Sequence, residues 1–104
     1  MLQKDILIYK TETVKNALKR LNKIGKKILL VVNRKNRLLG TITDGDIRRH
    51  ILKGKDLESD IGMVYNRNPV QIEKESFSVK AAKEKFVNKK IELLPVVDKN
   101  NKVI

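Results

Sequence analysis

Four side chains in one short stretch carry most of the chemistry this sequence offers: Thr43, Asp46, Arg48 and Arg49, which follow the apolar run Leu38-Leu39-Gly40-Thr41-Ile42. The run reads as a strand leading straight into a helix. At a helix N-terminus the first backbone N–H groups lack intrahelical partners and the macrodipole is positive, so an anion finds donors there. The Thr43 hydroxyl can reach a phosphate or the turn backbone, and the Asp46 carboxylate can accept the two hydrogen bonds that vicinal ribose hydroxyls donate. Guanidinium forks at Arg48 and Arg49 match phosphate oxygens of a di- or triphosphate. Together these residue types suggest a nucleotide.

A plainer reading stands beside this one. Thr43-x-x-Asp46 is also close to a capping box, in which the hydroxyl caps the helix and the acidic residue at the third position reaches back to the cap's N–H. One pair of side chains cannot do both jobs fully. One of the two arginines is expected simply to cover the helix surface. Asp44 and Asp46 without further oxygen ligands make a poor cage for Mg²⁺, so no metal site is expected. His50, the single histidine, has no sequence-local partner that would make it a base. No nucleophile with a base, metal set or paired carboxylates in a cleft emerges, so no catalytic residue is assigned.

The bulk properties narrow the setting. The chain has 104 residues, enough for one compact domain, and no apolar run approaches the roughly 20 residues needed to span a bilayer. A signal-peptide pattern is also missing from residues 1–20, which leads to the expectation of a cytoplasmic protein without a membrane partner. With no cysteine, disulfides and thiolate sites are excluded. Twenty-four Lys and Arg against 12 Asp and Glu give a formal charge of +12, a field that draws polyanions, nucleotides or acidic surfaces. The adjacent pairs of identical basic residues, Lys26-Lys27, Arg48-Arg49 and Lys89-Lys90, and the mixed pairs Lys19-Arg20 and Arg34-Lys35 are spread along the chain and form no single block, so a dispersed, solvated basic surface is the expectation.

The elements that must position Thr43 and Asp46 come twice. A shift of 65 positions lays Thr13-Val14-Lys15-Asn16-Ala17 over Ser78-Val79-Lys80-Ala81-Ala82, and the segment from Ile28 to Leu39 over that from Leu93 to Ile104 without a gap. In the first copy Val14, Ala17, Leu18, Leu21 and Ile24 recur at helical spacing, opened by Thr13 and closed by Gly25. Lys27 to Val32 and Leu38 to Thr43 read as a hairpin across Asn33-Arg34-Lys35-Asn36. A second helix is predicted from about Asp44 to Lys53, with Gly54 ending it, and Ile6 to Ile8 supply a strand ahead of the first helix. Val70 to Ile72 play that part in the second copy. The helix stripe Val79, Ala82 and Phe86 reads as core, and Pro95 as the mark of an edge strand. The organisation is thus a first repeat at 1–54, a connector at 55–69 with a short helix near Asp60 to Tyr65, and a second repeat at 70–104. The fold class is α+β: two β-α-β-β-α repeats packed pseudo-symmetrically. The second repeat stops one position before the counterpart of Gly40, from which a piece of a longer protein is expected.

With this repeat order, the strand pieces Leu29-Leu30-Val31-Val32-Asn33 and Leu94-Pro95-Val96-Val97-Asp98, and the Gly40-Thr41-Ile42-Thr43-Asp44-Gly45-Asp46 junction, the chain resembles a tandem cystathionine-β-synthase (CBS) domain pair, or Bateman module. The resemblance implies that Asp46 holds ribose hydroxyls and Thr43 faces ribose or phosphate. It also implies that groups near Ile28 and Leu29 sandwich a base and that Thr11 touches it. It implies AMP, ADP or ATP as a regulatory ligand, no required cofactor, and a homodimer. The wording around Gly40 to Arg49 is similar to the N-terminal pair of sugar-phosphate nucleotidyltransferases and to the C-terminal pair of arabinose-5-phosphate isomerases. Because Met1 leads almost directly into the first repeat, the nucleotidyltransferase setting is expected, with a covalently attached catalytic domain after Ile104.

Three function classes follow. Catalysis by this chain itself lacks residues. A ligand sensor that biases an attached enzyme fits the junction and the repeat. Nucleic-acid binding is motivated by the charge, but Tyr9, Tyr65, Phe77 and Phe86 form no basic stacking array.

Overall fold

The computed structural model describes residues 3–89, 91 and 93–104; Lys90 of the Lys89-Lys90 pair lies outside them. A 3₁₀ turn at Gln3–Ile6 leads into β1 (Leu7–Tyr9), α1 (Val14–Ile24), β2 (Ile28–Val32), β3 (Leu38–Thr43) and α2 (Asp44–Leu52). After a 3₁₀ turn at Ile61–Met63 come β4 (Ile72–Glu73), α3 (Val79–Lys89) and β5 (Val96–Val97). The fold is α+β, with three α-helices and two sheets among the described residues. No helix among the described residues is long and apolar enough to cross a membrane.

α1 begins and ends where its residues dictate. The Thr13 hydroxyl accepts the Asn16 N–H, and Gly25 takes φ 67° at the C-cap, a left-handed conformation that costs glycine little. The other first-turn donors go to the segment between the repeats: Val14 N–H to the Ser59 carbonyl and Lys15 N–H to that of Leu57. The connector is therefore stitched to the first repeat. Ser78 caps α3 as Thr13 caps α1, its Oγ accepting the Ala81 N–H.

β2 lies at the centre of a sheet ordered β1-β2-β3, parallel to β1 and antiparallel to β3. Being covered on both faces, it reads as an unbroken apolar run instead of an alternating one, and Leu29 to Val32 are all buried. β4 and β5 pair in parallel, and Val97 also bridges Val103. Pro95 directly precedes β5 of this two-stranded sheet, and its carbonyl accepts from the Ile72 N–H.

The core departs from the even division that the repeat predicts. Ile6, Ile8, Val14, Ala17, Leu21, Leu29, Leu30, Val31, Leu38, Ile42, Ile47 and Ile61 build it, and among the described residues of the second repeat only Val97 joins as a buried member. The stripe on α3 requires a correction. Val79 is 65% exposed and Phe86 38% exposed, and α3 buries no residue. α1 owes its burial to packing on α2 and β2; among the described residues no counterpart of β3 and α2 covers α3.

The two halves meet symmetrically at their hairpin tips. Asn33 Oδ1 accepts the N–H groups of Lys35 and Arg37, and Asp98 Oδ1, 65 positions on, accepts those of Asn100 and Lys102. Arg37 bridges Lys102 in antiparallel fashion, and the flanking bonds run both ways: Leu38 N–H to the Asn101 carbonyl, Val103 N–H to the Asn36 carbonyl.

Candidate functional site

Between the repeats lies a cleft of about 320 Å³. Its floor comes from the first repeat: Lys27 and Ile28 at the start of β2, Thr41 and Thr43 on β3, and Asp44 opening α2. Ile28 and Thr43 are cross-strand partners, so the sheet register sets them side by side at one mouth. Asn66 and Val70 form the rim, and Ile91 and Leu93 the opposite wall. Leu93 is the repeat counterpart of Ile28, so corresponding residues line the cleft from its two sides.

Gly40 makes the rim possible. A Cβ there would sit 2.0 Å from the Asn66 carbonyl oxygen and 2.7 Å from the Tyr65 ring. Without it, Asn66 pairs with Thr41 as a short extra strand, N–H to carbonyl at 3.0 Å one way and 2.7 Å the other. This close approach carries Asn66 to the cleft.

The capping box predicted for Thr43 and Asp46 is formed. The Asp46 N–H donates to Thr43 Oγ1 at 3.1 Å, and the Thr43 N–H donates to Asp46 Oδ2 at 2.9 Å. Asp46 Oδ1 accepts from Arg49 Nη2 at 2.6 Å, and the Asp46 side chain is 17% exposed. It turns toward a neighbouring hollow shared with Arg49, His50 and Lys53, not toward the inter-repeat cleft.

The expectation of waiting N–H donors at this helix start is corrected by the same geometry. The Asp44 N–H goes to the Lys27 carbonyl at 3.1 Å, the Gly45 N–H to Asp44 Oδ1 at 2.9 Å, and the Asp46 N–H to Thr43. Short acidic and hydroxyl side chains at a helix start compete with any ligand for its donors.

The remaining sequence-nominated residues fall into distinct places. Thr43 and Ile28 line the cleft together. Leu29 has no exposed surface, because alternation along β2 turns it into the core. Thr11 is exposed in the turn after β1 and does not line the cleft. Arg48 stands 3.9 Å from Asp44 Oδ2, and Arg49 is paired with Asp46. Sequence reasoning missed Lys27, Thr41, Asp44, Asn66, Val70, Ile91 and Leu93 as a lining set. The repeat held a signal for Leu93; for Asn66 there was none beyond the glycine it packs on.

A family model for the CBS domain matches residues 1–53 and again 59–104. The chain belongs to the CBS domain family. As a tandem CBS pair it is similar to an uncharacterised protein of Helicobacter pylori (strain J99), 34% identical over 98 residues covering 94% of this chain and 30% of that protein. It is also similar to arabinose 5-phosphate isomerase GutQ of Salmonella typhi, at 30% identity over 88% of this chain and 28% of the isomerase. The CBS pair thus spans about a third of the length of these relatives. Among solved structures, the CBS domain protein PAE2072 of Pyrobaculum aerophilum, complexed with AMP, superposes with a TM-score of 0.81 at 22% identity, covering 94% of this chain and 75% of that one.

Proposed function

We propose that this CBS pair is a regulatory module that binds a nucleotide in the cleft between its repeats and thereby biases an attached enzyme. The carrying observation is the composition and position of that cleft. Ile28, Val70, Ile91 and Leu93 give apolar surface for a base, while Thr41, Thr43, Asn66 and Lys27 supply hydroxyl, amide and ammonium groups. The AMP held by the Pyrobaculum protein, whose fold this chain shares, supports the same ligand class. Because the walls belong to different repeats, a ligand touching both stabilises one packing of the halves over others, which is the requirement for coupling to a distant site. On this reading Thr43 offers its hydroxyl hydrogen to ribose or phosphate from the cleft, and Asp46, which faces the neighbouring hollow, takes ribose hydroxyls by releasing Arg49 and turning toward the cleft.

For the regulated enzyme, the wording of the Gly40 to Arg49 junction favours a sugar-phosphate nucleotidyltransferase. The likeness to arabinose 5-phosphate isomerases over 88% of the chain favours an isomerase instead. Both handle sugar phosphates, and the module is taken to work as a cytoplasmic homodimer with either. Nucleic acid is a poorer fit: Arg34 covers the Tyr9 ring at 4.1 Å and Arg67 the Tyr65 ring at 4.5 Å, which takes up a stacking face on each.

Thermal unfolding with AMP, ADP, ATP, GTP and CTP tests the proposal. A ligand at about 100 times its Kd adds about 2.7 kcal/mol, a clear rise in melting temperature. Leu93→Trp, which fills the cleft from one wall, is expected to abolish that rise. Absence of stabilisation by every nucleotide overturns the reading.

A further inference from the structure

We infer that a groove along α1 is the subsite for a polyphosphate tail, so that the cleft prefers nucleoside di- and triphosphates to monophosphates; this rests on the nucleotide reading above. The first three N–H groups of α2 are bonded within the chain, so the helix start has none of them left for phosphate oxygens. Of the arginines nominated for that task, Arg48 stands beside Asp44 and Arg49 faces the neighbouring hollow, and neither lines the cleft. A phosphate leaving the cleft must find its positive charge elsewhere.

The groove supplies it. A shallow, open hollow on the surface, it carries Lys15, Lys19, Lys26 and Lys27 against the single carboxylate of Asp44. Lys27 and Asp44 line both the cleft and the groove, so the two hollows adjoin at the α2 start. Among the described residues Lys19, Lys26 and Lys27 enter no ion pair, and Lys15 has only Glu58 at 3.9 Å, both side chains being more than half exposed. The Asp44 charge at the junction is offset by the Gly45 N–H on Oδ1 and by Arg48 near Oδ2. Ammonium groups on flexible stems suit a tail of varying length, since each adapts as a point charge. A monophosphate reaches the junction and Lys27; further phosphates extend along the groove toward Lys26 and Lys19.

Calorimetric titration in magnesium-free buffer with AMP, ADP, ATP and inorganic tripolyphosphate tests this. At about 50 mM salt, ATP is expected to bind about tenfold or more tighter than AMP, with the gap narrowing at about 300 mM as exposed charges are screened. Combining Lys19→Gln with Lys26→Gln, both on exposed side chains, is expected to remove most of that preference and leave AMP within about twofold. Equal affinity for AMP and ATP overturns the groove, as does a preference that survives the lysine variant and disappears instead in Arg48→Gln. If no nucleoside phosphate binds, the cleft reading fails. Tripolyphosphate then still decides the groove, which stands if the lysine variant loses tripolyphosphate binding and falls if that binding is absent or unchanged.

Discussion

Asn36 and Asn101, 65 positions apart, hold the two hairpin tips together with one pair of hydrogen bonds made in opposite directions. The Asn36 amide donates to the Val103 carbonyl at 3.1 Å, and the Asn101 amide donates to the Leu38 carbonyl at 2.8 Å. Both backbones are left-handed, with φ 64° and 63°. Asparagine tolerates that region better than most residues, and the turn aims its side chain across the junction. The pseudo-twofold axis of the pair therefore passes between these tips. It is drawn in polar contacts, whereas the apolar core lies to one side of it.

Replacing either asparagine by alanine removes the cross-tip bond and places a Cβ-bearing residue of poorer left-handed tolerance in the turn. Asn101→Ala is expected to cost about 2 kcal/mol, combining the backbone penalty with about 1 kcal/mol for two part-buried bonds, the one donated to the Leu38 carbonyl and the one Asn101 Oδ1 accepts from Gln71 Nε2. Asn36→Ala should cost about 1 kcal/mol, because its amide bond is exposed and water replaces it. Asn101→Gly restores the backbone but not the bonds, so it should recover about half the loss. Urea unfolding of the three variants measures this, and equal stability of Asn101→Ala and the parent would refute it.

Gly40→Ala tests whether the connector is part of the sheet. The added methyl collides with the Asn66 carbonyl, a backbone atom that cannot turn aside as a side chain can. Relief requires breaking the Thr41–Asn66 pairing, at an expected cost of about 3 kcal/mol. Hydrogen exchange should show protection lost first at the Thr41 and Asn66 amides, and nucleotide binding should weaken because Asn66 lines the cleft.

Local signals were legible wherever a few neighbouring residues decide the outcome. Thr13 and Gly25 bound α1, Thr43 and Asp46 form their capping box, and the hairpin falls between Asn33 and Arg37. The repeat exposed the tandem organisation, because a 65-position match needs no knowledge of packing. What escaped depends on long-range neighbours. That Asn66 would be drawn against Thr41 follows from two segments meeting, and nothing near Asn66 says so. Of the donors assigned to the α2 start, one is taken by the carbonyl of Lys27, far from it in sequence, whereas the other two go to the adjacent side chains of Asp44 and Thr43.

Arg49→Ala is expected to tighten nucleotide binding. If Asp46 takes ribose hydroxyls, its Oδ1 must first release Arg49, which holds it at 2.6 Å. That pair is largely exposed on the arginine side, so it contributes about 0.5 to 1 kcal/mol, equivalent to about two- to fivefold in affinity. Asp46→Asn should lower affinity and also weaken the cap, costing about 1 kcal/mol of stability. Unchanged affinity in both variants would leave Asp46 a capping residue and nothing more.

Leu21 and Phe86 occupy equivalent positions in the repeat, yet their environments differ: Leu21 is 4% exposed against α1's neighbours, Phe86 38%. If sequence pattern alone set energetics, truncating either would cost the same. Burial argues otherwise, since the penalty of a large-to-small change scales with apolar surface removed from water and with the void left behind. Leu21→Ala should therefore destabilise by about 3 kcal/mol and Phe86→Ala by less than about 1 kcal/mol. The comparison also reads out what covers α3 when the chain acts with others. Should Phe86→Ala prove as costly as Leu21→Ala, and the cost fall on dilution, the exposed face of α3 is buried against a second copy in solution.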